Sequence, residues 1–178
     1  AGTVFFVHCP LGCVFCQNRT ISRRGEGGKV VTVPQLAQTF LKLQEQGAHN
    51  INLVTATHYV PSVAQALEYA RANGLVIPVV YNTSGYETVD TLRRLDGLVQ
   101  IYLPDFKYYS SYYAERYSHA PDYPEIVRDA IDEMVWQTGA PRFDTDGLLI
   151  RGTVIRHLML PELSGDTAQV LRCIAERW

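Results

Sequence analysis

Three cysteines lie within eight residues near the start of the sequence, where Cys9, Cys13 and Cys16 form a C-x3-C-x2-C pattern. Three thiolates from one loop can bind three of the four irons of a [4Fe–4S] cube. The neighbouring residues offer no evident fourth ligand, which leaves one iron with an open coordination position. Because open positions are typical of reactive rather than structural metal sites, the spacing predicts a catalytic iron–sulfur cluster. Gly12 is expected to let the loop turn tightly.

Two other interpretations of the cysteines remain open at this point. A structural zinc site could use His8 or Cys173 as its fourth ligand, although zinc modules usually supply paired C-x2-C units from two loops. An electron-carrying iron–sulfur protein is the second alternative, although such carriers normally fill all four iron sites with cysteine. Metal analysis and absorbance after anaerobic reconstitution separate zinc from iron.

The composition of the chain excludes several classes of protein. Its 178 residues, 47% hydrophobic and 19% charged, are typical of one globular domain. A net charge of −2 gives no reason to expect a nucleic-acid or membrane-surface partner. The apolar runs are too short to span a bilayer, and we expect no secretory signal, because the first residues read as a strand. Clustered thiols favour metal binding in a reducing compartment over disulfides, so we expect a cytoplasmic protein.

Hydrophobic periodicity predicts an alternation of strands and helices along the whole chain. Strands are predicted at residues 2–7, 51–54, 76–81, 98–103 and within 148–160. Helices are predicted at residues 34–46, 61–73, 88–95, 108–117, 123–138 and 167–177. Repeated strand–helix units imply a parallel sheet with right-handed crossovers, either an open doubly wound sheet or a barrel.

Polar segments follow the predicted strands at residues 55–58, 82–85, 105–107 and 156–157. Ligands of parallel α/β proteins bind at the carboxyl ends of the strands. We therefore expect these segments and the cysteine loop to meet at one site.

The segment of residues 2–18, with an aromatic residue before the last cysteine, resembles the radical SAM (S-adenosylmethionine) superfamily. It resembles the subgroup of pyruvate formate-lyase activating enzymes and their uncharacterised relatives. The resemblance extends along the chain in the same order of strands. It implies an α/β fold, a partial parallel (β/α) barrel of about five to six βα units, with residues 1–178 as the single core domain of a longer chain.

The resemblance also implies a reaction and two cofactors. A [4Fe–4S] cluster on Cys9, Cys13 and Cys16 chelates SAM at its open iron. One electron then cleaves SAM to methionine and a 5′-deoxyadenosyl radical, which abstracts hydrogen from a substrate. The protein contributes positioning and exclusion of water.

Several cofactor-binding residues follow from the same resemblance. Phe15 holds the position that packs near the adenine, with ordinary core packing as the alternative. Thr55 and Thr57 stand where most members carry a Gly-Gly-Glu segment that receives the methionine amino group. Asn82 and Ser84 match an Asp-Thr-Asn-Gly segment that contacts the ligand, with a simple turn and helix cap as the alternative.

Charged residues complete the implied pocket. Asp105 and Lys107 resemble the Asp-Leu-Lys motif of the activating enzymes, and an ion pair across a strand terminus is the alternative. Arg156 corresponds to the arginine that binds the SAM carboxylate, which it can do bidentately. The family usually has glycine where Glu162 stands.

The substrate and partners are implied only broadly. The resemblance implies an oxidoreductase acting on a small molecule or a protein, such as a glycyl-radical enzyme, with reducing flavodoxin or ferredoxin as the electron donor. His58 either contacts substrate or caps the following helix. The tyrosines between residues 108 and 117 either line a substrate mouth or form an aromatic helix face in the core.

Overall fold

The computed structural model describes residues 1–178 and contains one six-stranded sheet. Its strands are β1 (Gly2–Phe5), β2 (Ile51–Val54), β3 (Val79–Thr83), β4 (Ile101–Pro104), β5 (Arg142–Phe143) and β6 (Leu149–Thr153). The order is β1-β2-β3-β4-β6-β5, and every neighbouring pair is parallel except β5 and β6. The predicted α/β fold, a partial parallel barrel, is confirmed.

Seven α-helices connect and cover these strands. They are α1 (Arg19–Arg24), α2 (Val33–Glu45), α3 (Val60–Ala72), α4 (Val89–Arg93), α5 (Ser111–Ser118), α6 (Tyr123–Thr138) and α7 (Ser164–Arg177). A capping box begins α2: the Thr32 hydroxyl accepts from the Gln35 N–H, and the Gln35 side chain accepts from the Thr32 N–H. None of the helices combines the length and apolar composition that a bilayer crossing requires.

The third strand begins later than the sequence predicts. Pro78 has no N–H to donate to the sheet, and the N–H groups of Val76 and Ile77 donate instead to the Gln44 side chain, at 2.8 and 3.2 Å. The strand then continues through Thr83, whose carbonyl accepts from Asp105 N–H at 3.0 Å. The prediction of a strand over residues 76–81 is therefore wrong at both ends.

Several further elements differ from the sequence prediction. The short helix α1, the edge strand β5 and a 3-10 helix at Thr57–Tyr59 lie in segments predicted to be loops or left unassigned. The helix predicted at 108–117 begins only at Ser111, because Asp166 of α7 accepts from the N–H groups of Tyr109 and Ser110, at 3.0 and 2.9 Å. These hydrogen bonds hold the preceding residues outside the helix.

The buried apolar residues form two clusters. The larger cluster has 20 residues and joins the sheet to α2, α3, α4 and α6; Phe40, Leu53 and Tyr102 are among its members. The smaller cluster has nine residues, drawn from α5, α6, α7, the loop after β4 and the cysteine loop, which contributes Leu11. The cysteine loop is thus part of the second core rather than an appendage to it.

Candidate active site

Alternation along the strands separates the core from a polar inner face. In β2, Ile51 and Leu53 are fully buried in the larger cluster, whereas Asn52 and Val54 line a cavity. Successive strand side chains point to opposite faces. The inner face of the partial barrel is therefore lined in part by polar groups that a ligand can use.

The cavity has a volume of about 610 Å³ and lies where the parallel strands end. Every residue predicted to bind cofactor or metal lines it except Thr57. The lining residues from that set are Cys9, Cys13, Phe15, Cys16, Thr55, Asn82, Ser84, Asp105, Lys107 and Arg156. The fold therefore brings together segments that are up to 147 residues apart in sequence (Cys9 to Arg156).

Hydrogen bonds to α5 hold the cysteine loop in place. The N–H groups of Gly12 and Val14 donate to the carbonyls of Ser118 and Tyr117, at 3.0 and 2.9 Å. A Cβ at position 12 would lie 2.5 Å from the Arg23 guanidinium, which also donates to the Gly12 carbonyl. Gly12 is not among the glycines with positive φ, and its lack of a side chain leaves room for the Arg23 guanidinium to contact the loop.

The three thiols have distinct surroundings. Cys13 Sγ lies 2.9 Å from Ser118 Oγ, and Cys16 Sγ lies 3.3 Å from Ser22 Oγ. Burial raises the pKa of the Cys9 thiol. Cluster binding must therefore deprotonate Cys9 against this desolvation, which couples binding to proton release.

The two residues considered as a fourth zinc ligand lie away from the cavity. Neither His8 nor Cys173 lines it, and Cys173 lies on α7 beside a different surface groove.

A charged group lies on the cavity wall at the ends of β4 and β6. Asp105 pairs with Lys107 Nζ at 2.5 Å through one carboxylate oxygen and with Arg156 at 2.8 Å through the other. Arg156 also donates to Asn82 Oδ1 at 2.7 Å. The ion pair considered as the alternative does form, but it lines the cavity. Two positive side chains surround one carboxylate, which favours an anionic ligand group.

Two buried polar atoms on cavity-lining residues have no partner. They are Asn52 Oδ1 and Arg156 Nε. Buried polar atoms are nearly always hydrogen-bonded in native proteins, so these two are suited to a ligand that supplies an acceptor to Arg156 and a donor to Asn52. SAM has both, in its carboxylate and in its amino and hydroxyl groups. The residues present therefore fit the cofactor set that the cysteine motif implies.

The two predicted threonines have different surroundings. Thr55 lines the cavity with φ of 58°, a left-handed conformation unusual for a β-branched residue. The Thr57 hydroxyl instead donates to the buried Glu87 at 2.6 Å. His58 is exposed and does not line the cavity.

Some cavity residues escaped the sequence analysis. Thr3 and Asn52 line the cavity from β1 and β2, and the alternation of polar and apolar residues in those strands was the available signal. His157, which belongs to the polar segment expected at the site, lines it as well, with its ring nitrogens 2.7 Å from Phe106 O and 2.9 Å from Thr167 Oγ1. The tyrosines between residues 108 and 117 do not line it.

Fold and site together define a partial-barrel α/β protein in which three clustered thiols and a polar, ionic wall face one cavity. The chain belongs to the radical SAM superfamily, whose sequence profile matches residues 3–137. Membership implies a [4Fe–4S] cluster and SAM as cofactors.

The chain is similar to known proteins in both sequence and fold. It is 30% identical over 168 residues to the uncharacterized protein MJ0674 of Methanocaldococcus jannaschii, a match that covers 89% of this chain and 44% of that protein. The chain thus spans less than half the length of this relative. The crystal structure of HydG, a maturase of the [FeFe]-hydrogenase, superposes with a TM-score of 0.54 at 16% identity, covering 74% of this chain and 32% of that one. That likeness concerns the fold alone.

Proposed function

We propose that this chain is the catalytic core of a radical SAM enzyme, with Cys9, Cys13 and Cys16 as the cluster ligands. The observation that carries the proposal is one cavity lined both by the three thiols and by the ion group of Asp105, Lys107 and Arg156. An electron carrier has no use for an ionic cavity wall beside its cluster, whereas an enzyme uses such a wall to bind its substrate.

The cluster and SAM, when bound, supply one-electron cleavage of the S–C5′ bond and hydrogen abstraction from a substrate. The protein's residues bind and orient. Arg156, with its unpaired buried Nε, is suited to the methionine carboxylate. Asp105 accepts from the methionine ammonium, and Lys107 holds the Asp105 carboxylate in place through their ion pair. Phe15 packs against the adenine.

The remaining predicted contacts are part of the same proposal. Asn82 and Ser84 line the cavity at the end of β3, where a carbonyl and a hydroxyl can contact the ligand. Thr55 offers backbone groups and a hydroxyl at the end of β2. Thr57 contributes through Glu87, which its hydroxyl contacts, by fixing the end of β2.

The finer assignment is to the pyruvate formate-lyase activating enzyme-like subgroup, as one core domain of a longer chain. The motif resemblances along the strands support it, and so do two exposed apolar residues at the cavity, Phe5 (53% exposed) and Leu158 (57% exposed). Exposed apolar side chains at an active-site mouth suit a protein substrate. A glycyl-radical enzyme as substrate, flavodoxin or ferredoxin as electron donor and a cytoplasmic location complete the proposal.

The test is anaerobic formation of 5′-deoxyadenosine from SAM with dithionite as reductant. We expect product from the reconstituted wild type and loss of product in Cys13→Ala. Cys173→Ala is the matched control, since that cysteine does not line the cavity, and it should retain activity. No product from a wild type whose cubane cluster is fully assembled would contradict the proposal and leave the electron-carrier alternative.

The subgroup is tested in the same reaction. Adding a glycyl-radical enzyme should yield a glycyl radical detectable by electron paramagnetic resonance (EPR) in the wild type and not in Cys13→Ala. SAM cleavage without that radical would reject the activating-enzyme assignment and retain the superfamily chemistry.

A further inference from the structure

A buried serine contacts one of the three thiols from a distant part of the chain. Ser118 is the last residue of α5 and is 1% exposed. Its hydroxyl oxygen lies 2.9 Å from Cys13 Sγ, although the two residues are 105 positions apart in sequence.

The backbone fixes this contact in place. The Gly12 and Val14 N–H groups on either side of Cys13 donate to the carbonyls of Ser118 and Tyr117 at the end of α5. Carbonyls in the last turn of a helix have no partner within the helix and are free to accept such bonds. Two main-chain hydrogen bonds therefore bracket the side-chain contact and set its geometry.

Metal ligation determines the direction of the hydrogen bond. A thiolate bound to iron has no proton to donate, so Ser118 must donate to Cys13 Sγ. The Tyr108 hydroxyl lies 2.9 Å from Ser118 Oγ. Because the Ser118 hydroxyl proton is already used in the hydrogen bond to Cys13 Sγ, Tyr108 must donate its own proton to Ser118 Oγ. Burial raises the pKa of Tyr108, so the phenol keeps the proton that this arrangement requires.

We propose that Ser118, supported by Tyr108, is a positioning residue that sets the reduction potential of the cluster by donating a hydrogen bond to the Cys13 thiolate. Reduction transfers one electron from an external donor to the cluster and adds negative charge that is shared with the ligand sulfurs. A hydrogen bond to sulfur stabilises that charge and raises the potential. This inference rests on the cluster of the proposed function.

A second serine next to a thiol provides a matched control. Ser22 Oγ lies 3.3 Å from Cys16 Sγ, a longer contact made by a residue that is only partly buried. A longer hydrogen bond in a more solvent-exposed position is weaker. Ser22→Ala therefore removes the same group from beside a ligand with a smaller electrostatic consequence.

The experiment is a dithionite redox titration of the reconstituted protein, followed by the EPR signal of the reduced cluster. We expect Ser118→Ala to make reduction less favourable by on the order of tenfold, about 59 mV more negative for a one-electron couple. Tyr108→Phe should shift the potential in the same direction by less. Ser22→Ala should also shift it by less than Ser118→Ala.

An unchanged or more positive potential in Ser118→Ala at wild-type iron content would overturn the inference. An equal or larger shift in Ser22→Ala would also overturn it. If Ser118→Ala does not load the cluster, Tyr108→Phe decides, because it leaves Ser118 and both main-chain bonds intact; an unchanged potential in that variant sinks the inference. A wild type with no cubane signal at all would instead remove the proposed function itself.

Discussion

Glu87 places a carboxylate behind the cavity with only 2% of the residue exposed. Its Oε1 accepts from the hydroxyls of Thr57 and Thr83, both at 2.6 Å, and of Tyr81 at 3.1 Å. Its Oε2 is buried without a partner. Burial raises the pKa of this carboxyl above its ordinary value of 4.5, against the three hydroxyl donors that lower it. Glu87 therefore ties the ends of β2 and β3 together while favouring its neutral form.

Glu87→Gln is expected to flatten the pH dependence of stability. Because the folded protein holds this proton to higher pH than the unfolded chain does, folding stability falls as pH rises from ~4.5 through the raised pKa. Glutamine resembles the neutral acid and cannot titrate. The free energy of unfolding in urea, measured at several pH values, should therefore increase in the variant relative to the wild type as pH rises.

Two further variants make this prediction specific to Glu87. Glu68→Gln removes one charge from an exposed position on α3 and should not reproduce the effect. Glu87→Ala leaves three hydroxyls without their acceptor and should cost about 1–3 kcal/mol or more. A difference between Glu87→Gln and wild type that stays constant with pH would show that Glu87 does not retain its proton on folding.

The site residues could be predicted from sequence where the motif is local. The three cysteines share one loop, so their spacing indicates metal chemistry, and Asp105 and Lys107 stand two residues apart in a short motif that the family resemblance could identify. The partner of Thr57 could not be found in this way, because Glu87 is 30 positions away and nothing in either local sequence pairs them. The serine beside Cys13 is hidden for the same reason.

Tyr123 of α6 joins the loops that follow β3 and β4. Its hydroxyl accepts from Lys107 N–H at 3.0 Å and lies 2.7 Å from Asp105 O and 2.9 Å from Ser84 O. Gly85 belongs to the same junction, since a Cβ there would overlap the Asp105 carbonyl oxygen. One buried side chain from a helix therefore sets the spacing between two loops that carry predicted SAM contacts.

Tyr123→Phe is expected to weaken SAM binding by about tenfold, the equivalent of one buried hydrogen bond. The loss arises because the loops after β3 and β4 separate slightly when the shared hydroxyl is gone. Calorimetric titration of SAM into the reconstituted protein measures the dissociation constant. Tyr86→Phe is the matched control: Tyr86 stacks on Tyr123, but its hydroxyl donates to the exposed Asp122. Equal affinities for Tyr123→Phe and wild type would refute the role.

Most elements were predictable from sequence in type and order, whereas several of their ends and the short elements α1 and β5 were not. The helix at Tyr123–Thr138 matches its predicted span, because its apolar stripe is long and its neighbours are turn formers. The strand that begins at Val79 was predicted to begin at residue 76. Its first residue could not be predicted from the local sequence, because the N–H groups of residues 76 and 77 donate to Gln44, a side chain of α2. A hydrophobic run shows that a strand exists, whereas its first hydrogen bond is decided by tertiary partners.

At the scale of the whole molecule, the two hydrophobic clusters differ in their relation to the cysteine loop. The larger one, between the sheet and α2, α3, α4 and α6, includes no residue of that loop. The smaller one includes Leu11, and Cys9, Cys13 and Phe15 pack against it. Filling the thiol site should therefore stabilise one half of the molecule directly and leave the other half nearly unchanged.

Hydrogen exchange with and without the cluster tests this division. Metal binding to the native state alone adds its free energy to the stability of the structure it holds together, and local opening reports that gain region by region. On anaerobic reconstitution, amides of the cysteine loop and α5 should exchange at least about tenfold more slowly, because two main-chain bonds join them. Amides of α2 and α3 should change little.

Cys13→Ala taken through the same reconstitution should show no gain in protection from exchange. Equal protection across both clusters would mean that the chain folds as one cooperative unit around its cluster, and the two-part description would be wrong.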